Sequence, residues 1–197
     1  MFILAPWRSP LSSAIHRNRS KPYSRYFQLA TVTPQGYPAN RTVVFRGFLD
    51  NANINNSLKI ITDSRSAKIE QIDHQPIAEI CWYFTKTREQ FRIAGNLQLI
   101  TVAETNPELL QARKTTWQNL SDSARSQFAW PNPAQPAADK SAFDVDPPNA
   151  DIPLDNFCLL LLIPKKIDHL QLKGDPQQRC IYKLENDASW STHFINP

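Results

Sequence analysis

Basic side chains stand in two separate stretches of the chain where a folded protein usually has apolar or neutral residues. Arg41 and Arg46 flank the run Thr42–Phe45, which has the β-branched and aromatic content of a strand. Because side chains alternate along a strand, Arg41 and Val43 share one face and Arg46 lies on the other. Charged groups beside a core are unfavourable unless an opposite charge meets them. We therefore expect an anion at this strand.

The second stretch is ITDSRSAK, from Ile61 to Lys68. A strand is predicted to end here, and a helix to begin with Asp63 or Ser64 as its cap. Hydroxyls, free backbone N–H groups and cations at a helix N-terminus can bind phosphate. The helix dipole disfavours Lys68 at that end, which indicates an external anion. A helix start with this sequence is more often a solvent-exposed cap, so the inference of an anion site depends on Lys68 occurring together with Arg41.

A third polar segment, Arg88–Arg92, enters another predicted strand and contains Gln90. Gln90 alone could be an ordinary edge residue. Arg41 also has a simpler interpretation, because Glu79 or Glu89 could neutralise it.

The charge of the chain is unevenly distributed. Its 22 basic and 18 acidic residues give a net charge of +4, and seven of the basic residues precede Asp50, the first acidic one. An acid-free basic start fits an organelle transit peptide, a nucleic-acid-binding arm, or part of a pocket for a small anion. Pro6, Trp7 and Pro10 weaken the first interpretation because they are typical of packed structure. The nucleic-acid interpretation lacks aromatic RNA-binding patterns and zinc motifs.

The same composition argues against several other classes of protein. The longest apolar run, Phe157–Ile163, has seven residues, whereas a membrane-spanning helix needs about 20. Cys81, Cys158 and Cys180 form no CxxC pair, and the four histidines lack metal-ligand spacing. We therefore expect no metal site, no disulfide framework, no membrane span and a reducing, cytoplasmic location.

Hydrophobic periodicity predicts mostly strands. We predict them at Tyr26–Thr33, Asn40–Phe48, Leu58–Thr62, Ala78–Thr85, Gln90–Val102, Phe157–Ile163, Lys166–Lys173, Arg179–Leu184 and Trp190–Ile195. Helices are predicted at Leu11–Asn18, from Asp63 or Ser64 to His74, at Pro107–Leu120 and at Ser121–Ala129. An Asn-rich loop is predicted at Asp50–Asn56, and the segment 131–153, with six prolines, is a candidate functional flap.

Many short strands without βαβ alternation predict a mainly β protein, a small antiparallel barrel with peripheral helices. We expect one domain over residues 1–197. Its parts are a core at 24–104, a helical segment at 105–130, a Pro-rich loop at 131–153 and C-terminal strands at 155–195.

Four runs, RTVVFRG, ITDSRSAKIEQI, AEICWYF and REQFRIAGN, resemble in order and spacing the pyridoxamine 5′-phosphate oxidase-like FMN-binding split-barrel proteins. APWR and ARSQFAWPNP are similar to a branch known mainly from cyanobacteria and plants, whose members have no assigned substrate. The resemblance implies a Greek-key split barrel that includes the basic N-terminus. It also implies a homodimer with FMN at the interface and a small-molecule substrate, with no nucleic acid and no membrane as partner.

The resemblance also assigns residues. It implies that Arg41 and Lys68 bind the FMN phosphate with help from Arg65 and Ser66, and that Thr42, Val43, Val44 and Arg46 run along the ribityl chain and the isoalloxazine. Ile61 and Thr62 match the adjacent strand end, Gln90 matches a glutamine at the flavin ring, and Arg179 matches a C-terminal arginine near the flavin. No residue stands out as a catalytic base.

The chain departs from the vitamin B6 oxidases in its C-terminal arm. Leu170 stands in place of their tryptophan, and their Arg-x-His before Arg179 is missing. Arg125 and Ser126 only partly match the residues that bind the substrate phosphate. We therefore predict an FMN-dependent oxidoreductase without an assigned substrate. The alternatives are a non-catalytic FMN-binding carrier or sensor, and a basic β-barrel that binds RNA and no flavin.

Overall fold

The computed structural model describes residues 4–50 and 55–197, so positions 51–54 of the predicted Asn-rich loop lie outside it. The helices are α1 (Arg8–Asn18), α2 (Lys68–His74), α3 (Pro107–Gln118) and α4 (Asp122–Ser126). The strands are β1 (Tyr26–Val32), β2 (Pro38–Val44), β3 (Phe48–Leu49), β4 (Ser57–Asp63), β5 (Ile77–Phe84), β6 (Glu89–Ile100), β7 (Phe157–Gln171), β8 (Gln178–Leu184) and β9 (Trp190–Ile195). Short 3-10 turns lie at Pro22–Arg25 and Lys140–Phe143.

The nine strands form one antiparallel sheet. Its order is β2-β1-β5-β6-β7-β4-β3, with β8 paired to β7 and β9 paired to β8. The sheet does not close into a complete barrel within the described residues. The predicted class, a mainly antiparallel β fold with helices outside, is confirmed.

The two longest strands form the spine of this sheet. β6 pairs with β7 along its whole length. On its other edge, the first half of β7 pairs with β4 and the second half pairs with β8. The register shifts between Ala94 and Gly95, beside Pro164. A Cβ added at Gly95 would lie 2.1 Å from the carbonyl oxygen of Ile163, so only glycine allows the two backbones to approach this closely.

Three predicted boundaries are wrong for identifiable reasons. The strand predicted over Asn40–Phe48 ends at Val44, and the chain turns at Gly47, which has a φ of +101°. The two strands predicted over Phe157–Lys173 are one continuous strand, because the bulge beside Pro164 accommodates the proline inside it. Helix α2 begins at Lys68 instead of at Asp63 or Ser64, and residues 64–67 form a turn.

The main core lies on one face of the sheet. Trp7 and Leu11 from the α1 region, Phe27 from β1 and Trp82 from β5 are fully buried there. Separate clusters under α3 and α4 cover the other side of β4 and β7, where Trp117 packs against Phe157 with ring centroids 5.0 Å apart. The N-terminal segment is therefore part of the folded unit.

The opposite surface of the sheet, which we call the outer face, is continuous across seven strands. Thr42, Gln28, Cys81, Arg92, Asp168, Ile181 and His193 pair in register as one row of it. Tyr83, Gln90, Leu170, Arg179 and Ile195 form the neighbouring row. Tyr26 and Val44 extend that second row on β1 and β2. Large apolar side chains on this face are exposed, Tyr26 by 45%, Tyr83 by 44% and Ile195 by 44%.

Two basic residues of the N-terminal region form ion pairs within the fold. Arg8 pairs with Asp50 at 2.7 Å, and Arg17 pairs with Glu89 at 2.8 Å. Arg8 is buried in its pair, whereas the side chain of Arg17 is 54% exposed, so only the charge of Arg8 is withdrawn from the surface. Among the helices of residues 4–50 and 55–197, none is long and apolar enough to span a bilayer.

Candidate cofactor-binding site

A cavity of about 680 Å³ opens beside the edge strand β2. One wall consists of residues 41–44 and Arg46, the floor contains the end of β4, and the start of α2 contributes Lys68. The opposite wall comes from residues between 124 and 143, which we call the flap wall. The cavity therefore brings together the two basic stretches that the sequence analysis singled out.

Arg41 lies on the inner side of β2, opposite Leu29 of β1. Its guanidinium donates hydrogen bonds to the Ala39 carbonyl at 3.0 Å and to the Gln71 side-chain oxygen at 2.8 Å. Burial lowers the pKa of Arg41. Gln71, which also accepts a 2.6 Å bond from Thr31, fixes the orientation of this arginine. The sequence analysis missed Gln71, whose position one turn after Lys68 was the available signal.

Lys68 is the first residue of α2 and points its ammonium into the same cavity. The Nζ donates to the hydroxyls of Thr62 at 2.9 Å and Ser66 at 3.0 Å. Burial, and after it the charge of Arg41, lowers the pKa of Lys68. Both partners of the ammonium are neutral.

Within the described part of the chain, no carboxylate pairs with Arg41 or Lys68. The simpler interpretation, pairing of Arg41 with Glu79 or Glu89, is wrong because Glu79 binds Arg92 and Glu89 binds Arg17. Two partly buried cations that share a cavity and have neutral hydrogen-bond partners are chemically suited to bind a doubly charged anion such as a phosphate. The side chains make this site, since the seven-residue α2 starts too late for the predicted cap to do so.

Arg46 lines the cavity further along, after β2 has ended. Its Nε is buried and has no hydrogen-bond partner among the described residues. Burial, and then the charge of Arg25, lowers the pKa of Arg46. Among the five buried side-chain atoms without a partner in the described residues, the Arg46 Nε is the one that belongs to a residue lining the cavity, where it can donate to a bound group.

Arg65 also lines the cavity, but its donors already bind protein groups. It forms a two-point pair with Asp63, with Nε–Oδ1 at 2.9 Å and NH2–Oδ2 at 2.6 Å. It further donates to the carbonyls of Phe128 and Trp130. Burial alone would raise the pKa of Asp63, but the hydrogen bonds from Arg65 and Asn156 lower it overall. This neutral pair anchors the flap wall to β4.

The other residues that the resemblance assigned fall into two groups. Thr42, Val43, Val44, Ile61, Thr62 and Ser66 line the cavity together with Arg41, Arg46, Arg65 and Lys68. Gln90 and Arg179 do not; they lie on the outer face, on β6 and β8. Since strands are spaced about 4.8 Å apart, Arg179 is roughly 24 Å along the sheet from β2.

The flap wall contains Trp130, Phe143 and Gln127, which the sequence analysis did not assign, and Gln135, which the resemblance matches only loosely to a residue near the flavin. Trp130 and Phe143 make an edge-to-face contact with ring centroids 5.6 Å apart, and both line the cavity. Gln127 and Gln135 line it as well. The density of prolines in 131–153 marked this segment as a candidate flap, but the individual contacts depend on its path. Arg125, by contrast, is buried and points away from the cavity, donating to the Leu120 carbonyl and to Asp122.

Lys68 is expected to destabilise the ligand-free protein. Folding lowers the pKa of Lys68 below its ordinary value of 10.5, so the unfolded chain binds the proton more tightly than the folded protein does. The free energy of unfolding therefore increases as the pH rises from the lowered pKa of the folded protein to the ordinary pKa of the unfolded chain. Replacing it in K68M should raise the free energy of unfolding at pH 7 by about 0.5–2 kcal/mol. This gain in the free energy of unfolding should disappear at a pH where the ammonium of Lys68 in the wild type is deprotonated. Denaturant unfolding at several pH values measures this.

The control is K114M, at an exposed lysine of α3, which should change stability by less than about 0.5 kcal/mol. Thr62 and Ser66 lie 3.3 Å apart and can bond each other once the ammonium is gone. Lower stability of K68M than of K114M would show that the protein itself compensates the charge of Lys68.

The chain is similar to proteins of a known family. Residues 4–101 match the family described as pyridoxamine 5′-phosphate oxidase, FMN-binding domain. A relative from Arabidopsis thaliana, "Pyridoxine/pyridoxamine 5′-phosphate oxidase 2", is 39% identical and covers 98% of each chain.

Two solved structures are similar to the fold. One, of a pyridoxamine 5′-phosphate oxidase-related, FMN-binding protein from Nostoc punctiforme, is 54% identical over 99% of this chain and all of its own, with a TM-score of 0.94. PhzG from Burkholderia lata is 18% identical over 97% of this chain and 90% of its own, with a TM-score of 0.75, and supports the split-barrel fold alone. The chain belongs to the pyridoxamine 5′-phosphate oxidase family and carries its FMN-binding domain, whose cofactor is FMN.

Proposed function

We propose that this protein is an FMN-dependent oxidoreductase that acts on a small molecule, and that it works as a single-domain, cytoplasmic homodimer. The observation that carries the proposal is the pair of cations Arg41 and Lys68, which share one cavity and have no carboxylate partner in the described structure. The free cysteines fit a reducing compartment. When bound, FMN supplies a hydride acceptor that can pass electrons on.

Arg41 and Lys68 hold the phosphate in this proposal. The hydroxyls of Thr62 and Ser66, which now accept from the lysine, lie within the same group and can donate to phosphate oxygens. Gln71 keeps the guanidinium in position through its 2.8 Å hydrogen bond. Arg65 has a different role from the one that the resemblance assigned, because its pairing with Asp63 and with the flap carbonyls makes it a positioning residue.

The rest of the cofactor lies along β2. Val43, Val44 and Ile61 offer apolar contact, and Thr42 offers a hydroxyl. Arg46 supplies the unpartnered buried Nε, which suits a polar atom of the cofactor. A cation near the edge of the ring system stabilises negative charge that develops there when the ring takes up electrons.

Gln90 and Arg179 reach the cofactor only if a second copy of the chain supplies them. Both lie on the outer face, several strands away from their own cavity, and that face begins at Thr42 and Val44 of the cavity wall. A two-fold dimer packed through the outer face brings one copy's outer face to the other copy's cavity. The site is incomplete in one subunit under this arrangement.

The chemistry of the outer face also favours a second copy as its partner. Exposed Tyr26, Tyr83 and Ile195 give it apolar surface, which is typical of subunit interfaces. A chain of ion pairs crosses its centre, from Glu79 through Arg92 and Asp168 to Arg179. Acidic and basic groups alternate along this row of ion pairs, so the outer face has no excess of positive or negative charge. It can therefore pack against the same face of a second copy without net electrostatic repulsion.

Substitution on the outer face should dissociate the dimer. Tyr83→Asp places a carboxylate in the apolar part of the interface, which costs several kcal/mol when buried unpaired and raises the dimer Kd by roughly 100-fold or more. Sedimentation equilibrium measures the Kd. Val102→Asp is the control, because Val102 is 53% exposed but lies between β6 and α3. Equal behaviour of the two variants, or a monomeric wild type, would refute this interface.

The phosphate site predicts a difference between two flavins. K68M should weaken FMN binding by roughly 10- to 150-fold, since it removes a charge-assisted hydrogen bond worth about 1.5–3 kcal/mol. Riboflavin, which lacks the phosphate, should lose less than about threefold. Titration of flavin fluorescence measures both affinities, with K114M as the control. Equal losses for FMN and riboflavin would mean that the phosphate lies elsewhere.

The oxidoreductase activity predicts a cycle in the visible spectrum. A panel of reduced nicotinamides and small amines, added to the FMN-loaded protein without oxygen, should contain at least one donor that bleaches the flavin absorbance. Air should then restore the absorbance. A stable yellow protein that no donor bleaches would support the non-catalytic carrier instead, and a colourless protein that retains RNA would support the third hypothesis.

A further inference from the structure

Arg65 is the point at which a long exposed segment of the chain is attached to the sheet. Its guanidinium has five N–H groups, and each of them donates a hydrogen bond. Two of these bonds go to the carboxylate of Asp63, at the end of β4. The other three go to the flap wall, to the Phe128 and Trp130 carbonyls at 3.0 Å and to the Asn132 side chain at 2.9 Å. Arg65 therefore has no donor left for a bound ligand.

The segment that follows this point, residues 131–148, is otherwise loosely held. Most of its side chains are exposed, and its prolines lack the backbone N–H with which a loop can dock. Within the part of the chain that the structure describes, its hydrogen bond to the rest of the protein is the one between Asn132 and Arg65. Phe143 folds back onto Trp130, at the start of the same wall. A segment with one anchor and few buried contacts opens at a low free-energy cost once the anchor is released.

The anchor lies beside the cationic end of the cavity. Lys68, which follows Arg65 by three positions, lines the same cavity and contributes its ammonium to that end. Asn156 strengthens the junction, because its side chain donates to Asp63 and to the Phe128 carbonyl, both at 2.8 Å. The closed position of the flap is therefore fixed at the end where the proposed function has the cofactor phosphate.

The flap wall is also the side of the cavity that can move while two subunits stay together. In the dimer of the proposed function, the second copy covers the outer face, which adjoins the opposite wall at Thr42 and Val44. The floor belongs to β4, which is paired with β7 inside the sheet. A cofactor held between these walls therefore enters and leaves past the flap.

We propose that Arg65 is a latch that holds residues 131–148 closed over the cofactor, and that its release sets the rates at which the cofactor enters and leaves. The latch acts on the flap and makes no bond to the ligand, which separates its role from that of Lys68. Loss of the latch therefore affects flavins with and without a phosphate equally. The inference rests on the proposed function for the identity of the ligand.

Trypsin measures the opening of the flap in the protein freed of flavin. Residues 131–148 contain one lysine, Lys140, and no arginine, and a protease cuts there only when the surrounding chain is detached. R65Q should raise the rate of cleavage after Lys140 by about tenfold, because a hydrogen bond from a charged donor corresponds to roughly this factor or more. N132A, which leaves the ion pair intact, should raise the rate by a smaller factor. R19Q, at an exposed arginine after α1, is the control and should be cleaved at the wild-type rate.

Flavin dissociation tests the same latch in the loaded protein. In R65Q the dissociation rates of FMN and riboflavin, followed by flavin fluorescence after rapid dilution, should rise by the same factor, about tenfold. K68M should instead accelerate the release of FMN and leave that of riboflavin within about threefold of wild type. Bound FMN should also slow the tryptic cleavage of the wild type.

Two results would overturn the inference. One is equal cleavage and dissociation rates in R65Q and R19Q. The other is faster release of FMN alone in R65Q, which would make Arg65 a phosphate ligand. If R65Q does not fold, N132A decides, since an unchanged cleavage rate in that variant would also reject the latch. A wild type that binds no FMN would refute the proposed function, and the cleavage rates of the flavin-free protein would still decide whether Arg65 holds the flap.

Discussion

Two like charges, Arg41 and Lys68, are held together in a partly buried cavity, and much of the structure serves to keep them there. Gln71 and the hydroxyls of Thr62 and Ser66 bond them with neutral groups, so the positive charge is retained for a ligand. The burial that lowers both pKa values is unfavourable in the empty protein. In the proposed function, a bound dianion reverses this balance and couples cofactor binding to stability.

The sheet explains how Arg41 and Lys68, which are 27 positions apart in sequence, come together. The spine of β6 and β7 fixes β4 in place, and the end of β4 carries Thr62 toward the edge strand β2. The Asp63–Arg65 pair then ties this point to the flap carbonyls. The cations at one end of the cavity and the neutral aromatic surface at the other both adjoin this junction.

The outer face is the second feature on which the proposed site depends. It presents apolar side chains and a balanced ladder of ion pairs on a surface that adjoins the cavity wall. The hydrogen bonds from Arg179 are the main cause that lowers the pKa of Asp168. In the proposed dimer this ladder sets the register of the two copies, and each copy completes the other's site.

The amino-acid sequence determined the mainly β class, most strand positions, helix α3 and the cationic residues that line the candidate site, because alternation, helix periodicity and charge are local properties. It also carried the resemblance that the comparisons confirmed. Its errors lay at Val44, Pro164 and the start of α2, where bulges and turns depend on neighbouring strands. Only the tertiary structure decided that Arg65 and Arg125 are occupied by protein groups, that Gln71 orients Arg41, and that Gln90 lies away from the cavity. These contacts join side chains that are distant in sequence, and no local sequence pattern encodes them.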